Sequence, residues 1–382
     1  MELVKDFEKN DYSNITNIIE SKIGRNLHNQ KNHPLEIIKN KLYEFFDELS
    51  KEGDYNFKKF DNFSPFVSIE DNFDKLLIPK DHPARSKSDT YYVNEKTVLR
   101  THTSAHQNQL LAEGLTDFVI IGDVYRKDEI DKCHYPVFHQ IEIVGKIKNG
   151  NEPVFELKRV LEKLVLTLFP DSEYRFNDDY FPFTDPSFEL EVKRKGTNDW
   201  LEILGGGITH KQILKNNNLE GDYIAAGFGI DRLAMLAFDI PDVRYLWSSH
   251  PKFLDQFKDG KIIKFEPYSE LPNISKDISF WIESKEDILD KVDEKGIKIW
   301  INENDFFEIV RDVCQEWAEE VKLMDTFYNK KKEIYARMYR ITYSPIDPSL
   351  KDPALFGKLC NDIQNSLRDK IESTKSLKIK LR

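Results

Sequence analysis

Residues 118–142, FVIIGDVYRKDEIDKCHYPVFHQIE, decide how this 382-residue chain is read. Phe118–Ile121 has the aromatic, β-branched composition of a strand. It ends at Gly122-Asp123 and resumes over Val124, Tyr125 and Arg126. Lys127 to Tyr135 is a polar, charged loop, and Pro136 bars a helix. Phe138–Val144 is a second strand, returning antiparallel. Side chains alternate along a strand, so Gln140 and Glu142 share a face, with Phe138 in register behind them. Pairing the two strands brings Arg126 to the loop end. A cation, an amide and a carboxylate then line one open sheet face, which suits a ligand carrying both an anion and an ammonium group. An isolated solvated hairpin with an incidental charge pair would read the same way, so the flanking stretches have to decide.

Towards the amino end, His33-Pro34 precedes Leu35, Ile37, Ile38, Leu42, Phe45, Phe46 and Leu49, a helical spacing with proline near its first position. Tyr91–Val93 and Val98–Arg100 read as short strands. Thr101–Gln107, THTSAHQ, is polar and leads into a helix with Leu110 and Leu111. Ser104 can cap that helix, but two flanking histidines exceed what a cap requires. A helix start offering hydroxyl and imidazole groups could hold a carboxylate or phosphate.

Towards the carboxyl end, 153–169 has the spacing of a core helix. Tyr180–Pro186 is an aromatic loop with two prolines, in which Phe181 and Phe183 taken alone are core filler. Phe188–Val192 and Trp200–Leu204 alternate as strands. Alternation puts Glu202 on the face of Trp200 and Leu204, where a carboxylate needs a partner or a cation. Gly205–Gly207 permits close backbone approach. At 227–237, GFGIDRLAMLA, glycines give way to a helix with Arg232 on its first turns, and an arginine there is costly unless it meets an anion. No GxxxxGK[ST] loop and no GxGxxG after a strand is present.

Composition sets the outer bounds. A hydrophobic content of 40% with 12% aromatics indicates a globular chain of two or three domains. No apolar run approaches the roughly 18–20 residues of a membrane span, so no membrane partner is expected. Cys133, Cys314 and Cys360 are isolated, which argues against a disulfide framework or CxxC zinc site and for a reducing compartment. The net charge of −11 speaks weakly against nucleic acid. Its distribution qualifies that: from Lys322 onward fourteen Lys/Arg face seven Asp/Glu, a local +7 that leaves −18 on the rest. A basic end on an acidic body is the asymmetry expected where one end meets a polyanion. Residues 1–22, with Asp6, Glu8 and Asp11, lack the arginine-rich, acid-poor character of an organellar presequence.

Taken in order, LLIPKDHPAR (76–85), LRTHTSAHQ (99–107), GDVYRKDEID (122–131), HYPVFHQIE (134–142), YFPFTDPSFE (180–189), WLEILGGG (200–207) and GFGIDRLAMLAFDIPDVRYLW (227–247) carry a family resemblance. YSELPNISKDISFWI (268–282) and MYRITY (338–343) extend it. The chain resembles the class II aminoacyl-tRNA synthetases, and among them the single-chain organellar phenylalanyl-tRNA synthetases, from about residue 20 to the carboxyl end. It departs from them in the amino end noted above and in a short segment between Gly145 and Pro153.

The resemblance implies an α+β fold. An extension over 1–33 would precede a class II catalytic domain over 34–247, an antiparallel sheet flanked by helices. A linker over 248–264 would lead to a ferredoxin-like anticodon-binding domain over 265–382. That domain's expected elements are a strand at 278–282, a helix at 304–321, strands near 323–328 and 336–343, and a helix at 353–370. The implied form is a monomer in the mitochondrial matrix or another organelle, whose two domains rotate to embrace tRNA.

The implied reaction activates L-phenylalanine with ATP to phenylalanyl-adenylate and then transfers the acyl group to tRNA(Phe). Positioning and charge stabilisation dominate both steps. Arg126 is implied to clamp the α-phosphate and Arg232 the distal phosphates of bent ATP, with Mg2+ neutralising the rest and Glu202 its neighbour or ligand. His102, Ser104, Gln140 and Glu142 are implied to hold the ammonium and carboxylate ends of the amino acid. Ala105, His106, Gln107 and Ile141 complete the amino-acid set. Phe181 and Phe183 would grip the phenyl ring edge-to-face. Phe228, Cys133, His134 and Tyr135 would lie against adenine and the nucleotide. An apolar pocket rejects an added hydroxyl weakly, so tyrosine is the expected competitor. A class II synthetase for another amino acid and a non-catalytic RNA-binding relic stay open. Phe181 and Phe183 argue against the first, Arg126 and Arg232 against the second.

Overall fold

The computed structural model describes residues 10–382 except 149, 171, 194–197, 199, 268–270, 294, 347 and 348. The expected extension therefore falls partly outside the described residues, and so does the start of the 268–282 stretch. The strand-forming runs assemble one seven-stranded sheet from β1 (Lys58–Phe60), β2 (Asp117–Tyr125), β3 (Val137–Lys146), β4 (Tyr174–Asp179), β5 (Thr184–Lys193), β6 (Trp200–Thr209) and β7 (Tyr223–Gly229). Their order is β1-β2-β3-β7-β6-β5-β4, antiparallel except for β1 beside β2.

Helix α1 (Pro34–Lys51) starts where the proline predicts, and the His33 ring accepts the Leu35 N–H. Its apolar stripe meets helices α3 (Pro153–Leu168) and α4 (Ile230–Phe238), and together they cover one sheet face. The other face holds Phe118, Ile120, Val144, Tyr223 and Ala225 against Leu110 and Leu111 of helix α2 (Gln107–Ala112).

Three local expectations change in the structure. β2 runs unbroken through Gly122-Asp123, because the glycine makes room for the Arg100 guanidinium. A Cβ at Gly122 would sit 2.0 Å from Arg100 Nη2. Arg100 pairs with Asp123 at 2.7 Å, both 1% exposed, and the Tyr125 hydroxyl donates to Asp123 at 2.6 Å. Thr184–Pro186 lies inside β5 rather than in a loop, and β6 runs on past Leu204 through Gly205–Gly207. In β6 a bulge also intervenes: Leu204 pairs with Leu190 but Glu202 pairs with Glu191, so one extra residue turns Glu202 away from the Leu204 side.

The carboxyl-terminal body runs β8 (Ile274–Ile282), α5 (Glu303–Cys314), β9 (Ala318–Asn329), β10 (Ile334–Tyr343), α6 (Pro353–Ser373) and β11 (Ile379–Leu381), with a short strand pair at 288–292 and 298–300 before α5. The strand order β9-β10-β8-β11 is antiparallel throughout. Ile278, Phe280, Tyr339, Ile341 and Tyr343 pack against Phe306 and Val310 of α5 and against Phe356 and Leu367 of α6. Helix α5 stops at Cys314, short of the expected 321. Gln315 takes a φ of 49°, outside helical space, and 318–321 is drawn into β9 instead.

The loop between β2 and β3 joins the two bodies. Ile130 is buried in the core of the carboxyl-terminal body, and its carbonyl accepts the Val321 N–H at 2.9 Å. Lys127 pairs with Asp305 at 3.0 Å, and Arg311 donates to the Asp128 carbonyl at 2.6 Å. Tyr91 and Tyr135 donate to Glu308 and Glu316 at 2.9 and 2.6 Å.

Candidate functional site

The register of three central strands places the polar residues. Gly122 pairs with Gln140 and Ile120 with Glu142, while across β3 Gln140 faces Gly229 and Glu142 faces Gly227. Gln140 and Glu142 therefore stand together, and the missing side chain of Gly227 lets both lie close against β7, where a Cβ would come 3.0 Å from the Glu142 carboxylate. The turn at Thr103–His106 closes over this row. Its Ser104 hydroxyl donates to Glu142 at 2.7 Å, and the Thr103 N–H donates to the side-chain amide oxygen Oε1 of Gln140 at 3.2 Å. Ser104 thus serves a carboxylate rather than a helix cap.

This row floors a cavity of about 550 Å³. His102, Ser104, Gln140 and Glu142 form its polar end, and Phe181, Phe183, Ala225, Ala226 and Gly205 its apolar end. The Phe181 and Phe183 rings lie 5.8 Å apart and nearly parallel, at 11°. A Cβ at Gly205 would come within 2.7 Å of the Phe181 ring, so the glycine sets how deep that ring sits. A second cavity of about 290 Å³ is lined by Cys133, His134, Tyr135, Phe228 and Arg232. The two chambers share Arg126, Gln140, Glu202 and Gly227, and so form one continuous cleft.

Charge is unevenly distributed along the cleft. Burial, reinforced by the Arg126 cation, lowers His102 to about 3, so its imidazole is neutral. Burial pushes Glu142 up to about 8, against the opposing hydrogen bond from Ser104. Arg126 donates through Nε to the Thr101 carbonyl at 2.6 Å and lies over the Phe138 ring at 5.3 Å. No carboxylate pairs with its guanidinium among the described residues. Arg232 donates to the Glu202 carbonyl at 2.8 Å. Its helix is held by Asp231, which accepts the His139 N–H at 2.5 Å. His134 is raised above the ordinary histidine range by its 2.7 Å hydrogen bond with Asp131, against the opposing effect of burial.

Not every expected residue reaches the cleft. Ala105, His106, Gln107 and Ile141 do not line it. His106 stacks on Phe63 with centroids 4.5 Å apart and meets Arg100 at 3.0 Å, so it braces the turn from behind. Gln107 is buried, its amide atoms without a hydrogen-bond partner among the described residues. Ile141 packs on the opposite sheet face. Residues beyond the expected set also line the first chamber: Ile78, His82, Pro83, Ala84, Ala225 and Ala226. The two prolines at 79 and 83 marked that loop, whereas small alanines in a strand gave no signal.

Among the described residues no group of three or more His, Cys, Asp or Glu could hold a metal by itself. The donors present do suit a cation completed by phosphates. Glu189 is pushed up to about 6 by burial and by the neighbouring carboxylates of Glu202 and Asp179, an acidic crowding that a divalent ion would relieve. Magnesium characteristically takes one or two carboxylates plus substrate phosphates.

The family of class II tRNA synthetase core domains (F) matches residues 17–257. The chain is 44% identical to the chloroplastic/mitochondrial phenylalanine–tRNA ligase of Arabidopsis thaliana, over 98% of this chain and 84% of that protein. It is 38% identical to the mitochondrial phenylalanine–tRNA ligase of Dictyostelium discoideum, over 96% and 89%. Against the mitochondrial enzyme of Mus musculus the identity is 41%, over 91% and 82%.

Proposed function

The chain belongs to the class II aminoacyl-tRNA synthetases and within them to the phenylalanine–tRNA ligases, and on that premise we propose how its cleft divides the work. The observation that carries the proposal is Arg126, a guanidinium in no ion pair among the described residues where the amino-acid and nucleotide chambers meet. In the first step the carboxylate oxygen of phenylalanine attacks the α-phosphorus of ATP. A new P–O bond forms, the bond to the β-phosphate oxygen breaks, and pyrophosphate leaves. Negative charge grows on the non-bridging oxygens, and a fixed guanidinium fork at that point stabilises it more than it does the ground state.

Gln140 and Glu142 orient the ammonium group, with Ser104 fixing the carboxyl. His102, neutral, adds a polar contact without adding charge. Phe181 and Phe183 bound the phenyl ring. Their near-parallel stacking makes contact by offset faces as open to it as the edge-to-face grip. Arg232 holds the distal phosphates, and Phe228, Cys133, His134 and Tyr135 border the base and ribose. Mg2+, bound with ATP beside Glu202 and Glu189, would neutralise phosphate charge. In the second step the ribose hydroxyl of the tRNA terminus attacks the acyl carbon, and AMP leaves.

The carboxyl-terminal body, whose β-α-β-β-α-β order is that of a ferredoxin-like sandwich, is proposed to bind the anticodon of tRNA(Phe). The basic excess beyond Lys322 supports this. An organellar setting accords with the relatives' names, and we take the mitochondrial matrix and a monomer as the working form.

The deciding measurement is exchange of labelled pyrophosphate into ATP without tRNA. Strong exchange with phenylalanine, weak with tyrosine and negligible with leucine, is the expected result. A folded sample that binds tRNA yet exchanges with no amino acid would overturn the reading.

A further inference from the structure

Lys22 lies outside every motif stretch, and it lines neither chamber of the cleft. The short helix Asn17–Glu20 draws its segment inward, because Ile19 is fully buried in the catalytic core. Lys22 itself is only 8% exposed. A buried ammonium group is costly unless it is paired, and Glu316 of the carboxyl-terminal body supplies the pair at 2.7 Å. That pairing leaves the rest of its surroundings unexplained. The Lys22 Nζ also lies over two ring faces, 5.1 Å from the centre of Tyr135 and 4.9 Å from that of Trp247.

Those rings belong to a column behind the second chamber. Tyr135 and Trp247 stack with centroids 5.5 Å apart at 22°, and Trp247 stacks on His139 at 5.7 Å and 30°. His139 Nδ1 meets Asp231, the residue before Arg232, at 3.3 Å. Of the three rings only Tyr135 lines the chamber. Its hydroxyl donates to Glu316 Oε1 at 2.6 Å, the same oxygen that accepts from Lys22. One ion pair therefore holds Tyr135 by its ring and by its hydroxyl. Tyrosine and tryptophan faces bind a cation more firmly when water is excluded, as it is here.

We infer that Lys22 is a positioning residue for the nucleotide: it fixes the Tyr135 ring at the chamber wall, and with it the surface that base and ribose meet. The inference rests on the reading of the second chamber as the ATP site. The test uses the full chain in phenylalanine-dependent pyrophosphate exchange, with the KM for ATP and the KM for phenylalanine measured separately. Wild type is compared with Lys22→Met, Lys22→Arg, Glu316→Gln, Tyr135→Leu and the double variant of Lys22→Met with Tyr135→Leu.

Lys22→Met fills the same space without charge and should raise the KM for ATP about fivefold. The KM for phenylalanine, and the radius of gyration in X-ray scattering, should stay at their wild-type values. Lys22→Arg should restore most of the loss. In the Tyr135→Leu background Lys22→Met should add nothing, because the side chain it acts through is gone. Glu316→Gln keeps an acceptor for the Tyr135 hydroxyl but removes the counter-charge. It should raise the KM for ATP as well, and it serves as the test if Lys22→Met does not fold. A wild-type KM for ATP in these charge-removing variants would overturn the role while leaving the ATP site in place. Equal rises for ATP and phenylalanine would also overturn it, since general loss of packing acts on both. So would an effect of Lys22→Met undiminished by Tyr135→Leu, or one accompanied by a larger radius of gyration, which would assign it to undocking of the bodies. Absence of exchange in wild type with any amino acid would remove the reading of the chamber and the role of Lys22 together.

Discussion

Glu142 is buried beside a serine hydroxyl and a glutamine amide, with no cation paired to it among the described residues, and its carboxyl is pushed up to about 8. The folded protein therefore keeps a proton there that the unfolded chain has already lost at neutral pH. That lowers the stability of the empty protein progressively from the ordinary carboxylate range up to about pH 8. A phenylalanine ammonium group favours the ionised carboxyl, so binding should expel the proton. The KM for phenylalanine should accordingly fall as pH rises from 6 through 8, and Glu142→Gln should flatten that slope. A wild-type KM constant over the range would contradict it. Arg126 is proposed to act at the other end of the same substrate. Arg126→Ala should lower the pyrophosphate-exchange rate by roughly two to three orders of magnitude, and lysine there should recover little, because the fork geometry is lost. Exchange near the wild-type rate in Arg126→Ala would remove its assigned role. Both residues were legible in the sequence, since strand period alone aligns Gln140 with Glu142. The position of His106 was not: only the fold turns its ring to Phe63 and Arg100.

Among the elements, β2 and β6 are where alternation misleads, and in each the cause is local. Gly122 reads as a strand break, yet it is a strand residue whose missing side chain admits a buried arginine. Gly122→Ala should displace Arg100 from Asp123. Parting a buried ion pair costs about 3–5 kcal/mol, so thermal unfolding should shift sharply downward or the chain fail to accumulate. A stability within about 1 kcal/mol of wild type would mean the guanidinium can relocate. In β6 the bulge reverses the face on which Glu202 emerges, and no composition signal marks a single inserted residue. Gly205 is the counterpart in the apolar chamber. Gly205→Ala should tilt the Phe181 ring and raise the KM for phenylalanine well above any change in the KM for ATP; equal changes would point to general loss of packing. The helices were more legible, because α1 and α3 announce themselves by apolar spacing with proline at the start. Helix α5 ended early for a tertiary reason: residues that pattern as helix are taken into β9 by pairing with β10.

At the scale of the molecule, the contact least visible in sequence is the one that joins the bodies. Ile130 is a lone apolar residue in a charged loop, and nothing nearby says that its partners lie beyond residue 270. In the fold it is buried among them, while Cys133 and His134 of the same loop border the nucleotide chamber. Docking of the carboxyl-terminal body therefore orders a segment proposed to border ATP. Freed, the loop would have to lose its conformational entropy on each binding event. Ile130→Asp places a charge in that apolar core and should undock the bodies, seen as a larger radius of gyration in X-ray scattering. The KM for ATP should then rise several-fold, with the KM for phenylalanine changing much less, because the turn at Ser104 and the strand at Glu142 do not depend on the contact. The same asymmetry bears on removing residues 265–382. Adenylation should persist in a folded fragment at a raised KM for ATP, while charging is lost with the body proposed to bind tRNA. Undocking that leaves the KM for ATP unchanged would show that the loop is ordered by the catalytic body alone, and the two bodies would then communicate only through the tRNA they share.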